Sequence, residues 1–154
     1  MNITIYIFLI ILLIFLVLEF LSLSFPLNKI DIFHDGQRLS SAFKSKIDGS
    51  LWSGSYVSVG IILETLGSKF AWYLFNNETI GSVKTLDLIY IFITKILLLF
   101  FTLEITKYIN LNYPYKIIFF LLSSLFLLSF INYNLNSVDI VSFREIPIIL
   151  SLIL

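Results

Sequence analysis

The sequence predicts an all-α, polytopic membrane protein, and two observations lead to this fold class. The 154 residues are 58% hydrophobic and 13% charged, which is about half the charge of a typical soluble domain. The charged residues also cluster between long apolar runs and do not line one face of each helix. That pattern is typical of a chain whose solvent is a lipid bilayer.

Three apolar runs have roughly the length of membrane helices. They cover residues 3–23, 86–106 and 117–132, and about 20 residues at about 1.5 Å each cross the hydrocarbon core of a bilayer. A last apolar piece, residues 147–154, would span only about 10 Å as a helix. We therefore expect a single membrane domain with three transmembrane helices and a partial fourth, forming the N-terminal part of a longer protein.

A cleaved signal peptide is the alternative interpretation of the first apolar run. Signal peptides need a basic n-region, a shorter apolar stretch and a cleavage site with small residues. Met1 and Asn2 carry no side-chain cation, and the sequence from Ser22 to Phe25 is a poor cleavage site. We therefore favour a helix that is retained in the membrane.

Two ionisable residues lie inside the apolar runs. Lys95 is near the middle of the second run, where an ionised group costs about 2.5–3.5 kcal/mol on insertion scales. Glu19 lies toward the end of the first run, and we expect the two side chains to pair. A structural ion pair is the favoured interpretation, and a polar path through the bundle, as in a transporter, is the alternative.

The distribution of lysines predicts the orientation of the chain. The short link between the second and third runs contributes Lys107 and Lys116 with no acid between them, so the positive-inside rule places it in the cytoplasm. The N-terminus is then also cytoplasmic, and residues 25–84 form an extracytoplasmic loop. That loop contains six Lys or Arg, which argues the other way, but its length and its five acids weaken the objection.

Helical spacing predicts two short helices within this loop. The first apolar stripe follows Asp35-Gly36 and consists of Leu39, Ala42, Phe43 and Ile47. The second stripe runs from Val59 to Leu74, with Glu64 and Ser68 expected on the opposite, polar side. Trp72 and Tyr73 near its end are expected at headgroup depth, so the second helix is predicted to lie on or just outside the membrane surface.

Three short motifs in the loop carry a family resemblance. His34-Asp35-Gly36 is an acidic motif after the first membrane helix, residues 51–60 combine Trp52, Tyr56 and glycines, and residues 80–82 stand where a turn would enter the second membrane helix. In layout and in these motifs the chain resembles the GT-C superfamily of polytopic membrane glycosyltransferases. It departs from that family at Ser53, where an Asp is usual, and in having few membrane helices.

The resemblance implies an enzyme that moves a sugar from a polyprenyl-phosphate donor to an acceptor hydroxyl on the extracytoplasmic side of a bacterial inner (plasma) membrane. Asp35 would act as the catalytic base. His34, Arg38 and Glu64 would bind the acceptor or the donor phosphate. A divalent cation is possible as cofactor, and the partners are the lipid-linked sugar and the bilayer. In such enzymes the donor pocket is built from later helices, so residues 1–154 alone are expected to be inactive.

Several residues also have plain structural interpretations. Asp35 before a helical stripe can be an N-cap, and Glu64 can be a solvated position on the outer face of its helix. His34 is the sole histidine and cysteine is absent, so no metal site built from histidine or thiolate ligands is predicted. The net charge of zero gives no support to a nucleic-acid partner. The rival function is a non-enzymatic membrane subunit or a transporter fragment; oligomeric state stays open.

Overall fold

The computed structural model describes residues 3–22, 32–51, 65–134 and 141–153, and all the regular elements within them are helices. The helices are α1 (Ile3–Ser22), α2 (Ile32–Asp48), α3 (Gly67–Phe75), α4 (Ile80–Tyr108), α5 (Tyr113–Asn134) and α6 (Val141–Ile153). The all-α prediction is confirmed for these residues, none of which forms a strand. The chain divides into two compact units, residues 24–89 and a second that joins residues 1–23 to 90–154.

Two of the helices are long and apolar enough to cross a membrane. These are α1, with 20 residues, and α4, with 29 residues, which correspond to about 30 and 43 Å of helix. The apolar portion of α5, Tyr113–Ser129, is shorter, so the third predicted span stays a prediction. At 13 residues, α6 is only about 20 Å long.

Three helices begin earlier than hydropathy predicted. We expected a turn at residues 80–82, but these residues form the first turn of α4, so that prediction is wrong. The hydroxyl of Thr79 accepts the backbone N–H of Ser82 at 3.4 Å, which is the geometry of an N-cap. The helix therefore begins with polar residues, six positions before residue 86, where the apolar pattern alone predicted its start.

The starts of α5 and α6 differ from expectation for a related reason. Helix α5 begins at Tyr113, because Pro114 is tolerated in a first turn, where its missing N–H is not needed. Helix α6 begins at Val141 and contains Pro147 in its interior, whereas the last predicted apolar piece begins only at residue 147. The proline costs one internal hydrogen bond but does not end the helix.

In the unit that joins residues 1–23 to 90–154, α1 runs antiparallel to α4. Phe20 near the end of α1 stacks on Phe92 with ring centroids 4.6 Å apart, while Tyr6 and Lys107 line one cavity at the opposite end. One core cluster of this unit draws on all three long helices; its buried members are Ile5, Leu9, Leu16, Leu99, Leu103 and Phe120.

The outward faces of this unit are apolar as well. Helix α1 exposes Ile7, Ile14 and Phe15, and α5 exposes Leu122 and Phe126. A water-soluble monomer rarely exposes a continuous apolar surface of this kind. A helix that is apolar all around is instead the form expected where the surrounding solvent is lipid.

In the unit formed by residues 24–89, α2 packs against the α3 region through small and polar side chains. The hydroxyl groups of Ser41 and Thr65 hydrogen-bond to each other. The buried small residues of the two segments are Ser41, Ala42, Ser45, Thr65, Ser68 and Ala71. Such residues let helix backbones approach closely, and they are enriched where helices pack inside membranes.

The structure separates the two sides of the second loop helix as predicted. Phe70 and Leu74 of the apolar stripe are exposed, and Ser68 on the opposite side is 0% exposed. The polar side is therefore the one that packs inside the unit, and the apolar side points away from it. Glu64, predicted beside Ser68, lies outside the described residues, as do Val59, Ile62 and Leu63.

Trp72 also departs from the prediction that places it at the membrane interface beside Tyr73. Trp72 is 5% exposed and Tyr73 is 85% exposed. The Trp72 ring lies 4.6 Å from that of Phe43 on α2, and its indole N–H donates to the carbonyl oxygen of Thr79 at 3.2 Å. Trp72 therefore links α2, α3 and the start of α4, and Tyr73 alone is available to an interface.

We expect Trp72→Phe to lower the free energy of unfolding by about 1–2 kcal/mol, because the Thr79 carbonyl loses a buried donor. Thermal unfolding of the detergent-solubilised protein, followed by circular dichroism, measures the change. The matched control is Tyr73→Phe on the neighbouring, exposed residue, which should leave the melting temperature unchanged. Equal effects of the two substitutions would contradict a structural role for the Trp72 hydrogen bond.

Candidate functional site

Asp35 lies in the first turn of α2 and is 2% exposed. Its Oδ1 atom is 2.7 Å from Nζ of Lys84, which comes from the second turn of α4 and is 5% exposed. The N-cap interpretation of Asp35 is wrong, because α2 already begins at Ile32. An acid in a first turn still interacts favourably with the helix dipole, but the direct partner of this carboxylate is a lysine from another helix.

Arg38 occupies the next turn on the same face of α2 and forms a two-pronged ion pair with Asp87 of α4. Its NH1 and NH2 atoms donate to Oδ2 and Oδ1 of Asp87 at 2.8 and 2.9 Å. Arg38 is buried, and the Asp87 side chain is 16% exposed. This parallel geometry is the strongest that a guanidinium makes with a carboxylate, and it fixes the rotation of both side chains.

Asp35, Arg38, Lys84 and Asp87 together form one buried group, which we call the charged cluster. Arg38 NH1 is also 3.9 Å from Asp35 Oδ1, so the two ion pairs touch. Its four members are two acids and two bases, whose formal charges balance. Charges removed from water are costly unless each is compensated, so removing one member weakens the compensation of its oppositely charged partner.

Sequence reasoning found half of the charged cluster. Asp35 and Arg38 were predicted as site residues, and the structure brings them together with Lys84 and Asp87, which were not predicted. The pattern that would have found them is an acid and a base three residues apart on each helix, in opposite order: Asp35 then Arg38, and Lys84 then Asp87. Residues three apart share a helix face, so two such faces of opposite order are complementary.

The other predicted site residues are placed less fully. His34 lies in the first turn of α2 next to Asp35, but its side chain is outside the described part of the structure. Glu64, Trp52, Ser53, Tyr56 and Gly60 are outside the described residues altogether. No group of three His, Cys, Asp or Glu able to hold a metal ion occurs among the residues that the structure describes.

A separate buried ion pair lies in the other unit. Nζ of Lys95 on α4 is 2.7 Å from Oε1 of Glu19 on α1, and the Lys95 side chain is 3% exposed while that of Glu19 is 31% exposed. The predicted pairing of these two residues is confirmed. Lys95 lies in the interior of α4, whereas Glu19 lies in the last turn of α1.

The charged cluster contains groups that a ligand could also contact. Phosphate oxygens match the fork of Arg38 as well as a carboxylate does, and a hydroxyl group could share the Asp35 carboxylate with Lys84. A scan against protein-family models, a search of curated proteins and a search of solved structures each find no match to this chain.

Proposed function

We propose that the protein is an integral polytopic membrane protein, with α1, α4 and α5 as spans and α6 as the start of a fourth. The lengths of α1 and α4, the apolar outward faces and the small, polar helix contacts of residues 24–89 support this placement. The link between α4 and α5, with Lys107 and Lys116, then lies in the cytoplasm. Because α1 and α4 are antiparallel, the N-terminus lies on that same side.

We further propose that the chain is the N-terminal part of a GT-C-like glycosyltransferase of a bacterial inner membrane. The observation that carries this proposal is the charged cluster, in which Asp35, the acid of the His-Asp-Gly motif, is held by Lys84 beside Arg38. Lys84 belongs to the second turn of α4, just before its long apolar portion. In the proposed orientation this end of α4 faces the extracytoplasmic side, where a lipid-linked donor presents its phosphate.

The proposed reaction transfers one sugar unit. The acceptor hydroxyl oxygen attacks the anomeric carbon of the sugar, and a new C–O bond forms there. The bond between that carbon and the phosphate oxygen breaks, and the polyprenyl phosphate leaves with the electron pair. The hydroxyl proton passes to the Asp35 carboxylate, which serves as general base. A divalent cation is an optional aid to the leaving phosphate.

Arg38 is the proposed phosphate ligand of this site. Its guanidinium already makes two parallel hydrogen bonds to Asp87, and a phosphate can take the same two donors. His34 is one position before Asp35 and, together with Glu64, is proposed to bind the acceptor. Lys84 would hold the Asp35 carboxylate in place until the acceptor hydroxyl arrives.

The test is sugar transfer by the full-length gene product in membranes supplied with labelled polyprenyl-phosphate sugars. We expect Asp35→Asn to reduce transfer by about 100-fold or more, the usual contribution of a general base. Asp48→Asn is the matched control, because Asp48 is on the same helix and pairs with Lys44 at its exposed end. Wild-type transfer by the Asp35 variant, or no transfer by the wild type with any donor, would contradict the proposal.

The Glu19–Lys95 pair favours a second candidate, a non-enzymatic membrane subunit or transporter fragment. An ion pair inside apolar helices is a feature of polar paths in transporters, and this pair has a distance of 2.7 Å. The two candidate functions assign different roles to the Glu19–Lys95 pair and to the charged cluster. A transporter needs Glu19 and Lys95 to exchange partners, whereas a glycosyltransferase needs the charged cluster and uses Glu19–Lys95 only for stability.

A further inference from the structure

A cavity of about 610 Å³ lies at the end of the α1–α4–α5 unit where α4 leads into α5. Residues from the start of α1, the end of α4, the link and the start of α5 line it. Ile5 and Leu111 give the lining an apolar part. Its polar part combines two lysines, two tyrosines and a threonine; these are Lys107, Lys116, Tyr6, Tyr113 and Thr106.

The charges around this cavity favour an anion. The ammonium group of Lys107 pairs with the Glu104 carboxylate of the same helix. Lys116 Nζ donates to the backbone carbonyl oxygen of Lys107 at 3.4 Å, a long hydrogen bond, and no described carboxylate pairs with Lys116. Two ammonium groups and one carboxylate therefore leave an excess positive charge next to the Tyr6 and Tyr113 hydroxyl groups, which can donate hydrogen bonds.

The tyrosines near this cavity indicate its position relative to the membrane surface. Tyr108 is 85% exposed and Tyr115 is 59% exposed, and both are within two residues of lining residues. Together with Tyr6 and Tyr113 they place four of the eight tyrosines of the chain at this end of one unit. Tyrosine is enriched where a membrane protein passes the headgroup layer, because its ring is apolar and its hydroxyl is polar.

We propose that this cavity binds the phosphate headgroup of an anionic glycerophospholipid. Lys116 and Lys107 would contact the phosphate oxygens, and the two tyrosine hydroxyl groups would donate to the phosphate or to the glycerol portion. The proposal rests on the membrane placement argued above and not on sugar transfer. It also fits the proposed orientation, because basic residues beside the membrane attract anionic lipid on the cytoplasmic side.

A lipid fits this cavity better than free phosphate does. Exposed apolar side chains follow the lining residues in sequence on both helices: Ile7 comes directly after Tyr6 on α1, and Ile118 comes two residues after Lys116 on α5. Acyl chains attached to the phosphate would cover these side chains, whereas an inorganic anion would leave them exposed. A single excess positive charge at an open site also holds a small, fully hydrated anion only weakly.

The experiment uses the full-length protein in neutral detergent and measures binding of phosphatidylglycerol by native mass spectrometry. We expect Lys116→Gln to weaken binding about fivefold, as estimated for one basic residue at a membrane surface. The double variant Lys107→Gln/Lys116→Gln should lose more than about tenfold, and Lys116→Arg should retain binding. Lys44→Gln is the matched control, because Lys44 likewise pairs with an acid of its own helix.

Three results would overturn the proposal. They are wild-type affinity in the double variant, an equal loss in Lys44→Gln, and equal binding of phosphatidylcholine, which has the same phosphate but no net charge. Displacement of the lipid by millimolar inorganic phosphate would assign the site to a free anion instead. Sugar transfer is assayed in parallel, so a failure of the proposed enzyme activity leaves the lipid result independent.

Discussion

Replacing Asp35 with asparagine is expected to lower the melting temperature of the protein by roughly 10 °C, in addition to its effect on sugar transfer. The reason is Lys84, which is 5% exposed and has Asp35 as its ion-pair partner at 2.7 Å. Asparagine keeps the shape of the side chain but removes the negative charge that faces this buried ammonium group. Breaking a buried ion pair by removing one partner costs about 3–5 kcal/mol.

The double variant Asp35→Asn/Lys84→Gln separates stability from chemistry. Two neutral amides can hydrogen-bond to each other, so we expect at least half of the lost melting temperature to return. The general base is still absent, so sugar transfer should stay as low as in the single variant. Differential scanning fluorimetry of the solubilised protein and the transfer assay in membranes give the two readouts.

The matched control for the Asp35 and Lys84 variants is the ion pair between Lys44 and Asp48 at the other end of α2. Its atoms are 3.2 Å apart and its side chains are 47% and 26% exposed, so Lys44→Gln should change stability by less than about 1 kcal/mol. Full transfer by the double variant would reduce Asp35 to a structural partner of Lys84. A single Asp35→Asn variant with unchanged stability would contradict the buried ion pair itself.

The sequence predicted the long helices but misplaced their ends. Long apolar runs predict long helices, and α1, α4 and α5 correspond to the three runs; of these, α1 and α4 are long and apolar enough to cross a membrane. Hydropathy could not locate the first turn of α4, because that turn is polar and is begun by the Thr79 hydroxyl, not by apolar residues. It also could not place Asp35 inside α2, since the apolar stripe that was recognised starts only at Leu39.

The sequence separated the two faces of α3 correctly but did not show what each face contacts. Ser68 is buried near the Ser41–Thr65 hydrogen bond, and Phe70 is exposed. Helical spacing tells which residues share a face, whereas the burial of the polar face depends on its packing against α2, which spacing does not show.

Asp35 and Arg38 were chosen from the motif and from the chemistry of phosphate binding, whereas Lys84 and Asp87 required knowledge of which helices pack together. A sequence shows that Lys84 and Asp87 share a helix face, but not that this face meets α2. The pairing of Glu19 with Lys95 could be predicted without knowing which helices pack together. Each is an isolated charge in an apolar run, so each needs a partner of opposite charge, and the apolar runs contain few such residues.

Substitution of Glu19 by glutamine should therefore destabilise the α1–α4 contact by about 2.5–3.5 kcal/mol, the insertion cost of an ionised lysine at the centre of a span. Lys95 is 3% exposed and has its ammonium group 2.7 Å from Glu19, so its burial depends on that carboxylate. We expect less protein in the membrane and faster proteolysis. Quantitative immunoblotting of membranes before and after limited protease treatment measures both.

The double variant Glu19→Gln/Lys95→Met decides between the two candidate functions. Methionine is close to lysine in length and carries no charge, so the contact between α1 and α4 should recover most of its stability. An enzyme that uses the charged cluster would keep its rate of sugar transfer, because no reacting group has been removed. A protein that moves ions or protons through Glu19 and Lys95 would lose transport completely while accumulating normally. Lost function at normal abundance would thus exclude a purely structural role for this pair.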